Sequence, residues 1–432
     1  MGEREDLIRM AEEYLVTSIV ERLEPVVVDR AENDVVIDMD GRKYVDFFAG
    51  IAVVNTGHVN EKVVNAAIEQ AKKLVHACTY VYHVPPTIKL AKRLAEIVPG
   101  RDMKKTFFSN SGAEAIECAM KVARKFTKKH ELIALTHSFH GRTIGTLSIT
   151  GQWKRKRFDM GPYMPAVSFT PSPYCYRCPF GKQFPDCDFE CARYLNNVID
   201  YATSNNVAAL IMEPLQGEGG IIPIPKEYAK IVREILDERD ILLIDDEVQT
   251  GFGRTGRMFG VEHLGIEPDI VTMAKGIADG FPIAACTTRA EIADSFEPGD
   301  HLSTFGGNPV SAAAALANIE FMEEENLPKQ AEEKGNYVMK ALRDMMSEIK
   351  LIGDVRGRGL MIGVELVRDR ESKEPAVSEA KRVRQLMREK GYLIGVGGAV
   401  GSVLRLQPPL TVTYEHIDGA LEALEESLKE VS

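Results

Sequence analysis

One lysine lies where its amine could act as a nucleophile. Lys275 follows the apolar segment DIVTMA, a predicted strand, and precedes a glycine-rich turn. Desolvation at the edge of a core favours the neutral amine, which can attack a carbonyl carbon. A lysine that begins a surface loop shows the same local pattern, so the surrounding elements must decide between the two.

Three acids end another apolar segment, ILLIDDE: Asp245, Asp246 and Glu247. A carboxylate at the end of a buried strand can stabilise a protonated pyridine nitrogen, although an aspartate there often only caps a turn. Because side chains alternate along a strand, Asp246 faces away from its two neighbours. Spacing alone leaves open which of the three acids acts.

Two further segments could bind a charged or aromatic ligand. Ser111, Gly112, Ala113 and Glu114 fit a capping box, and a helix start with small residues exposes backbone N–H groups to a phosphate. Most such starts only cap the helix.

The segment SFHGRT contains Phe139, which could stack on a ring, and Arg142, which could bind a carboxylate in bidentate fashion. A core phenylalanine beside a surface arginine would give the same pattern. Neither residue is diagnostic alone.

These residues belong to elements that alternate between strand and helix. The predicted strands are ELIALT (131–136), AALIMEP (208–214), ILLIDDE (241–247), DIVTMA (269–274) and IAACTT (283–288), and helical periodicity covers 5–23 and most of 311–347. Alternation of this kind indicates an α/β fold with a mostly parallel sheet between helices, whose ligands bind at the carboxyl ends of the strands. We expect a large domain over 61–325 and a smaller αβ domain built from both chain ends, 1–60 and 326–432.

Net charge makes a small-molecule substrate a better default than nucleic acid or anionic lipid. The 432 residues include 53 Lys plus Arg and 64 Asp plus Glu, a net charge of −11 that disfavours general affinity for nucleic acid or anionic lipid. Apolar runs fall short of the ~18 residues that a membrane span needs. The acidic, amphipathic amino terminus does not resemble a signal peptide, so we expect a cytoplasmic protein.

Four of the seven cysteines crowd one stretch, CYRCPFGKQFPDCDFEC: Cys175, Cys178, Cys187 and Cys191. Their thiolates could bind zinc or an iron–sulfur centre. The alternatives are a disulfide or free thiols in a surface insertion. The middle spacer is short for a zinc ribbon, and we expect no metal.

In combination, the motifs resemble the class III pyridoxal-phosphate aminotransferases of fold type I, which include the 4-aminobutyrate, ornithine and acetylornithine enzymes. The resemblance covers nearly the whole chain, in the order DFFAGIAVVNTGH, FFSNSGAEA, SFHGRT, EPLQGEGG, LLIDDEVQTGFGRTG, MAKGIADGFP, STFGGNP, VRGRGLMIG and LRLQPPLT. Departures at GHVNEK and at Ala278–Asp279 weaken assignment to any one subfamily.

The resemblance implies that Lys275 carries pyridoxal 5'-phosphate as a Schiff base and later moves the substrate proton, and that Asp246 pairs with the pyridinium. The other cofactor contacts that it implies are Ser111, Gly112 and Ala113 at the phosphate, Phe139 and Val248 on the ring faces, Gln249 at the phenolic oxygen, and Thr304 of the partner subunit at the phosphate. That last role requires a homodimer or a higher homo-oligomer.

For the substrate, the resemblance implies a switch between Glu218 and Arg405. Glu218 would neutralise Arg405 for an ω-amino donor and release it for the α-carboxylate of a 2-oxo acid such as 2-oxoglutarate. Arg142 would bind the distal carboxylate, with Glu213 nearby and Ile51 as an apolar wall. A static Glu218–Arg405 ion pair is the alternative.

Other functions remain open at this stage. The same family contains racemases, which need no such switch, so we favour transamination. GFGRTG (251–256) nominally suggests a nucleotide-dependent oxidoreductase, but its acids precede the glycines and the next segment is a poor phosphate-binding helix. A non-enzymatic, cofactor-bound protein would not need the lysine, the aspartate and the Glu–Arg pair together.

Overall fold

A computed structural model describes residues 2–16, 24–152 and 156–432. The strands are β1 (Val28–Glu32), β2 (Val35–Asp38), β3 (Lys43–Asp46), β4 (Met103–Ser109), β5 (Glu131–Leu135), β6 (Val167–Thr170), β7 (Val207–Met212), β8 (Leu215–Gln216), β9 (Ile222–Pro223), β10 (Leu242–Asp246), β11 (Ile270–Met273), β12 (Ala284–Arg289), β13 (Ile352–Arg358), β14 (Met361–Asp369), β15 (Glu374–Pro375), β16 (Tyr392–Leu393), β17 (Gly395–Gly397) and β18 (Val403–Leu406). The helices are α1 (Glu3–Tyr14), α2 (Ala49–Ala52), α3 (Glu61–Lys73), α4 (Pro85–Ile97), α5 (Gly112–Thr127), α6 (Ile144–Ser148), α7 (Glu190–Arg193), α8 (Leu195–Ala202), α9 (Lys226–Glu238), α10 (Ala290–Ala293), α11 (Pro309–Glu324), α12 (Leu327–Glu348), α13 (Val377–Glu389) and α14 (Tyr414–Val431).

A seven-stranded sheet forms the centre of the protein, in the order β4-β12-β11-β10-β7-β5-β6. Its strands run parallel except β12, which is antiparallel to both neighbours. The predicted α/β class and mostly parallel sheet are thereby confirmed. β12 reverses because the segment after β11 is too short for a crossover helix.

Each predicted strand segment forms a strand, but the prediction omitted β4 and β6. These are the two edge strands of the sheet. β4 carries exposed Lys104 and Lys105, and only the last residue of β6 is buried. Edge strands lack the continuous run of apolar residues by which a buried central strand can be recognised in the sequence.

Helices cover both faces of this sheet. Alternate residues of the central strands contribute to different apolar clusters: Leu242 and Ile244 pack with residues of α5, whereas Leu243 packs with residues of α9. Burial on both faces explains why β7 is apolar throughout and why β10 is apolar up to Asp245 and Asp246 at its end.

The two chain ends meet in a smaller sheet, β1-β2-β3-β16, in which β16 pairs with β3 in parallel. A further sheet, β13-β14-β18-β17, carries Arg405 on β18. The division at residues 60 and 326 stays a prediction.

The helix predictions need two adjustments. The helix predicted over 5–23 is seen as α1, and residues 17–23 lie outside the described part of the chain. The predicted 311–347 helix is two helices, because Asn326 has φ +49°, which interrupts the helical backbone between α11 and α12. Among the described helices, none is both long and apolar enough to cross a membrane.

Candidate active site

A cavity of about 490 Å³ lies at the carboxyl edge of the central strands. Every predicted site residue lines it except Thr304 and Arg405: the lining includes Ile51, Ser111, Gly112, Ala113, Phe139, Arg142, Glu213, Glu218, Asp246, Val248, Gln249 and Lys275. Residues from distant parts of the sequence therefore converge on one space.

Lys275 enters this cavity directly after β11. It begins a short 3₁₀ turn over Lys275–Ile277 and has φ +49°, an uncommon backbone conformation for a non-glycine residue. Burial and, second to it, the positive charge of Arg405 together lower the pKa of Lys275 to about 8. More of the amine is therefore neutral near pH 7 than in a solvated lysine, and the neutral form is the one that acts as nucleophile or base.

Asp246, at the end of β10, is held by two hydrogen bonds. Its Oδ2 lies 2.7 Å from Nδ1 of His140, and its Oδ1 accepts from the backbone N–H of Val248 at 3.0 Å. Asp246 and His140 are both buried. Our sequence interpretation missed His140, although it stands inside SFHGRT between two residues that were singled out.

The structure separates the three acids of ILLIDDE. Asp246 lines the cavity, whereas Asp245 and Glu247 are fully buried and absent from its wall. Glu247 accepts hydrogen bonds from the backbone N–H groups of Gly260 and Val261. Only Asp246 is therefore placed to meet a ligand in this cavity.

The predicted helix start is α5, with Ser111 as its N-cap. The Ser111 hydroxyl accepts from the backbone N–H of Glu114 at 3.4 Å. The Glu114 carboxylate in turn accepts from the backbone N–H of Asn110, whereas in a capping box it would accept from that of Ser111. The second hydrogen bond of the predicted capping box is therefore displaced by one residue. The first N–H groups of a helix have no intrahelical acceptor, and Ser111, Gly112 and Ala113 at this helix start line the cavity.

Two glycines keep this end of the cavity tight. A Cβ on Gly112 would lie 2.8 Å from Cγ1 of Val248, and a Cβ on Gly141 would lie 2.9 Å from Cβ of Ala113. The small residues at the helix start thus let Val248 and the SFHGRT loop approach closely.

Phe139 and Arg142 lie together at the wall. The guanidinium carbon of Arg142 is 5.4 Å from the centre of the Phe139 ring. The backbone N–H of Phe139 donates to Glu213 at 3.0 Å, and Glu213 also accepts from Gly217 N–H at 2.9 Å. Burial raises the pKa of Glu213 to about 7, and the nearby Asp246 charge acts in the same direction. Glu213 therefore joins two loops of the site through backbone contacts.

Glu218 and Arg405 form an ion pair beside the cavity. Nη1 of Arg405 lies 2.5 Å from Oε2 of Glu218, and Nη2 of Arg405 donates to Oε1 of Gln249 at 3.2 Å. The other carboxylate oxygen of Glu218 lies 2.8 Å from Nζ of Lys156. We did not anticipate Lys156, because it lies in the charged stretch KRKR (154–157), a pattern typical of a solvated surface.

Ile51 reaches the cavity from an unusual turn. Four consecutive residues are left-handed, with φ between +50° and +69°: Ala49, Gly50, Ile51 and Ala52. A β-branched side chain rarely adopts this conformation, which costs about 1–2 kcal/mol per residue. Packing and hydrogen bonds of the surrounding fold must offset this cost for Ile51 to keep its left-handed conformation.

These features suit an aldehyde that carries both a phosphate and a basic ring nitrogen. An amine of lowered pKa, a fixed carboxylate and a helix start line one space, and each would meet a different part of such a molecule. The family model for class-III aminotransferases matches residues 18–428. This chain belongs to the class-III aminotransferases.

Individual relatives agree with that placement. The chain is 46% identical over 409 residues to the leucine/methionine racemase of Thermococcus litoralis, covering 94% of this chain and 91% of that protein. It is 40% identical over 421 residues to the acetylornithine aminotransferase of Methanothermobacter thermautotrophicus, covering 97% of each. The solved amine transaminase of an uncultivated Pseudomonas species, in its PLP-bound form, superposes with a TM-score of 0.90 at 31% identity, covering 97% of this chain and 98% of that one. The cofactor of this class-III aminotransferase is therefore pyridoxal 5'-phosphate.

Two predicted features of the aminotransferase lie away from its cavity. Thr304 is exposed and does not line the cavity of its own chain. GFGRTG forms turns, and no α-helix follows it before β11. Its Arg254 is fully buried and donates to the carbonyls of Leu360 and Pro408, so the segment connects parts of the fold. The oxidoreductase interpretation thus lacks the strand–turn–helix unit that it needs.

The four clustered cysteines of the aminotransferase line one small cavity of about 20 Å³ and are free thiols: Cys175, Cys178, Cys187 and Cys191. Within the described part of the chain, no group of His, Cys, Asp and Glu side chains has an arrangement that could hold a metal ion. The metal-free state of this loop stays a prediction.

Proposed function

We propose that this aminotransferase transfers the amino group of an ω-amino compound, such as 4-aminobutyrate or ornithine, to 2-oxoglutarate. The observation that carries the proposal is the ion pair between buried Arg405 and the partly buried, cavity-lining Glu218. An ω-amino donor brings no carboxylate next to its reacting carbon, whereas a 2-oxo acid does. Glu218 neutralises Arg405 in the first case and releases it in the second.

A second cation suits the other end of such substrates. Arg142 is exposed at the cavity, and within the described residues it has no ionic partner. A planar guanidinium binds a carboxylate through two parallel hydrogen bonds. In our proposal Arg142 takes the distal carboxylate of 4-aminobutyrate or 2-oxoglutarate, and Ile51 supplies the apolar wall between.

We assign the proton transfer to Lys275. When bound, the cofactor supplies an electron-withdrawing ring that stabilises negative charge on the substrate carbon. The Nζ of Lys275 anchors it and, once freed by substrate, takes and returns the substrate proton. The carboxylate of Asp246 keeps the ring nitrogen protonated, and its hydrogen bonds from His140 and Val248 orient it.

The remaining cofactor contacts follow the cavity wall. We assign the phosphate to Ser111, Gly112 and Ala113 at the start of α5, the two ring faces to Phe139 and Val248, and the phenolic oxygen to Gln249. We further infer a homodimer in which Thr304 of the partner subunit reaches the phosphate. The large apolar side chains Leu302 and Phe305, 59% and 61% exposed beside Thr304, support an interface there.

Racemisation is the second candidate, because the chain is 46% identical to a leucine/methionine racemase. Both reactions begin with removal of a proton from the substrate carbon that bears the reacting amino group, which is the α-carbon in a racemase. A racemase returns that proton to the same carbon from the opposite face, which needs no second substrate. An ion pair that alternates between two kinds of substrate serves transamination better.

A donor screen tests the proposal. Purified protein is incubated with 2-oxoglutarate and 4-aminobutyrate, 5-aminovalerate, ornithine or acetylornithine, and glutamate is measured. We expect glutamate from at least one donor, and Arg405→Ala to raise the KM for 2-oxoglutarate roughly tenfold or more while changing the donor KM much less. If no donor yields glutamate and one L-amino acid instead loses optical activity and takes up solvent deuterium at its α-carbon, the protein is a racemase.

A further inference from the structure

Glu218 is bound by two cations, one on each carboxylate oxygen. Nη1 of Arg405 lies 2.5 Å from Oε2, and Nζ of Lys156 lies 2.8 Å from Oε1. The side chains of Arg405 and Lys156 are only 2% and 5% exposed. Among the described residues, two buried cations therefore contact the carboxylate of Glu218, whose side chain is 18% exposed.

The contact with Lys156 affects how readily the ion pair between Arg405 and Glu218 can open. A partly desolvated carboxylate is destabilised when it loses a cationic partner, so the Glu218–Arg405 bridge would open less readily if Lys156 were absent. With Lys156 on the other oxygen, Glu218 keeps a partner after Arg405 turns to a substrate carboxylate. Two cations then face two carboxylates, one from the protein and one from the substrate.

We propose that Lys156 is a positioning residue that retains Glu218 when Arg405 binds a substrate α-carboxylate, and that it thereby sets the affinity for 2-oxo acid acceptors. The inference rests on the proposed function, since only an enzyme that alternates between donor and acceptor needs the bridge to open. Lys156 acts through Glu218 and does not itself contact the substrate.

Direct binding of substrate by Lys156 is the main competing role. Its Nζ is 5.5 Å from the centre of the Phe139 ring, and the guanidinium of Arg142 lies 5.4 Å from the same centre. The amine is nevertheless engaged by Glu218, and Lys156 does not line the cavity that Arg142 lines. The test must therefore separate an effect through Glu218 from a direct one.

An effect through Glu218 can be separated from direct substrate binding by measuring the two half-reactions of the holoenzyme, one with the amino donor and one with the 2-oxo acid acceptor. In Lys156→Met, we expect the apparent dissociation constant of 2-oxoglutarate to rise about tenfold, because breaking one side of a buried charged group weakens the state that depends on it. The constant for the ω-amino donor identified in the screen changes by less than about twofold, because that state keeps Glu218 on Arg405. Lys156→Arg restores acceptor binding. Lys182→Met, a half-exposed lysine paired with Glu190 in the cysteine loop, is the matched control and leaves both constants unchanged.

Two additions exclude direct binding and a purely structural role. Pyruvate, which has an α-carboxylate but no distal one, should lose affinity in Lys156→Met as 2-oxoglutarate does. In a Glu218→Gln background, adding Lys156→Met should have no further effect on acceptor binding, because there is no anion left to retain.

The inference is overturned if Lys156→Met impairs donor and acceptor equally, if pyruvate is unaffected, or if the effect persists in the Glu218→Gln background. Should Lys156→Met fail to fold, Lys156→Gln carries the same comparison. Failure of the wild type to produce glutamate would instead refute the proposed function, so the two failures are distinguishable.

Discussion

Asp246 and His140 form a buried hydrogen bond of 2.7 Å between Oδ2 and Nδ1. A carboxylate offers only acceptors, so Nδ1 carries the proton and donates. The Val248 N–H binds the other oxygen, and the Asp246 carboxylate is therefore oriented by the protein before any ligand arrives. Such preorganisation is worth most for a group that stabilises charge during reaction.

Asp246→Asn tests this directly. The amide keeps the shape of the side chain but not its charge, so we expect kcat to fall by at least about 10²-fold, while phosphate contacts at α5 still retain the cofactor. Turnover and bound cofactor are measured on the same preparation. His140→Asn keeps the Asp246 charge and should cost less turnover than Asp246→Asn. Near-normal turnover in Asp246→Asn would refute its role.

The lowered pKa of Lys275 predicts how apoprotein regains its cofactor. The neutral amine is the reactive form, so the rate of capture of pyridoxal phosphate should rise with pH and reach half its maximum near pH 8. Arg405→Ala removes a positive charge that lowers this pKa, and should move the midpoint to higher pH. Stopped-flow absorbance from pH 6.5 to 10 measures both curves. Identical midpoints would contradict the proposed electrostatic coupling.

Asp245 predicts a pH-dependent change in stability. Both of its carboxylate oxygens are buried, and the side chain that approaches them is another carboxyl group, that of Glu247. Burial, then the charges of Glu247 and Asp246, raises the pKa of Asp245 well above its usual range. A raised folded-state pKa means that the stability contributed is full at low pH and is lost as pH rises through that pKa.

The side chain of Asp245→Asn stays neutral at every pH. Relative to the wild type, the free energy of unfolding of this variant should therefore rise as pH increases from about 4. The expected rise is about 1.4 kcal/mol per pH unit, up to the folded-state pKa of Asp245. Urea unfolding of the variant and the wild type at pH 5 and at pH 8 gives the difference in their free energies of unfolding at each pH. Glu247→Gln is the comparison: burial raises the pKa of Glu247 to about 7, but Glu247 also accepts several hydrogen bonds, so its loss should destabilise the protein at pH 5. An Asp245→Asn protein less stable than wild type at both pH values would contradict the account.

The cysteine loop is predicted to hold no metal. We expect less than one metal equivalent per chain by elemental analysis, and unchanged turnover after chelation, because the loop lines its own small cavity apart from the catalytic one. Cys175→Ser with Cys178→Ser serves as the comparison. Stoichiometric zinc or iron that disappears in this variant would overturn the prediction.

The sequence predicted the site best where motifs carry the chemistry locally. Lys275 and Asp246 each end a buried strand, and both line the cavity. Asp246 could be chosen over Asp245 only through family likeness, because strand alternation separates two faces without saying which one meets a ligand.

What the sequence could not show depends on contacts between distant segments. His140 binds an acid 106 residues further along the chain, and Lys156 binds one 62 residues further along. No periodicity encodes such pairs, and a lysine in a charged stretch predicts a solvated surface. The edge strands β4 and β6 escaped notice for a related reason, since weaker burial leaves a weaker apolar pattern.

Reductive trapping of the cofactor tests the central claim, that Lys275 is the amine that carries it. Holoenzyme is treated with borohydride and digested, and the labelled peptide is identified by mass spectrometry. The account predicts a pyridoxyl label on Lys275 alone, together with loss of visible absorbance, and Lys275→Ala should give neither label nor turnover. A label on any other lysine, or full activity in Lys275→Ala, would contradict it.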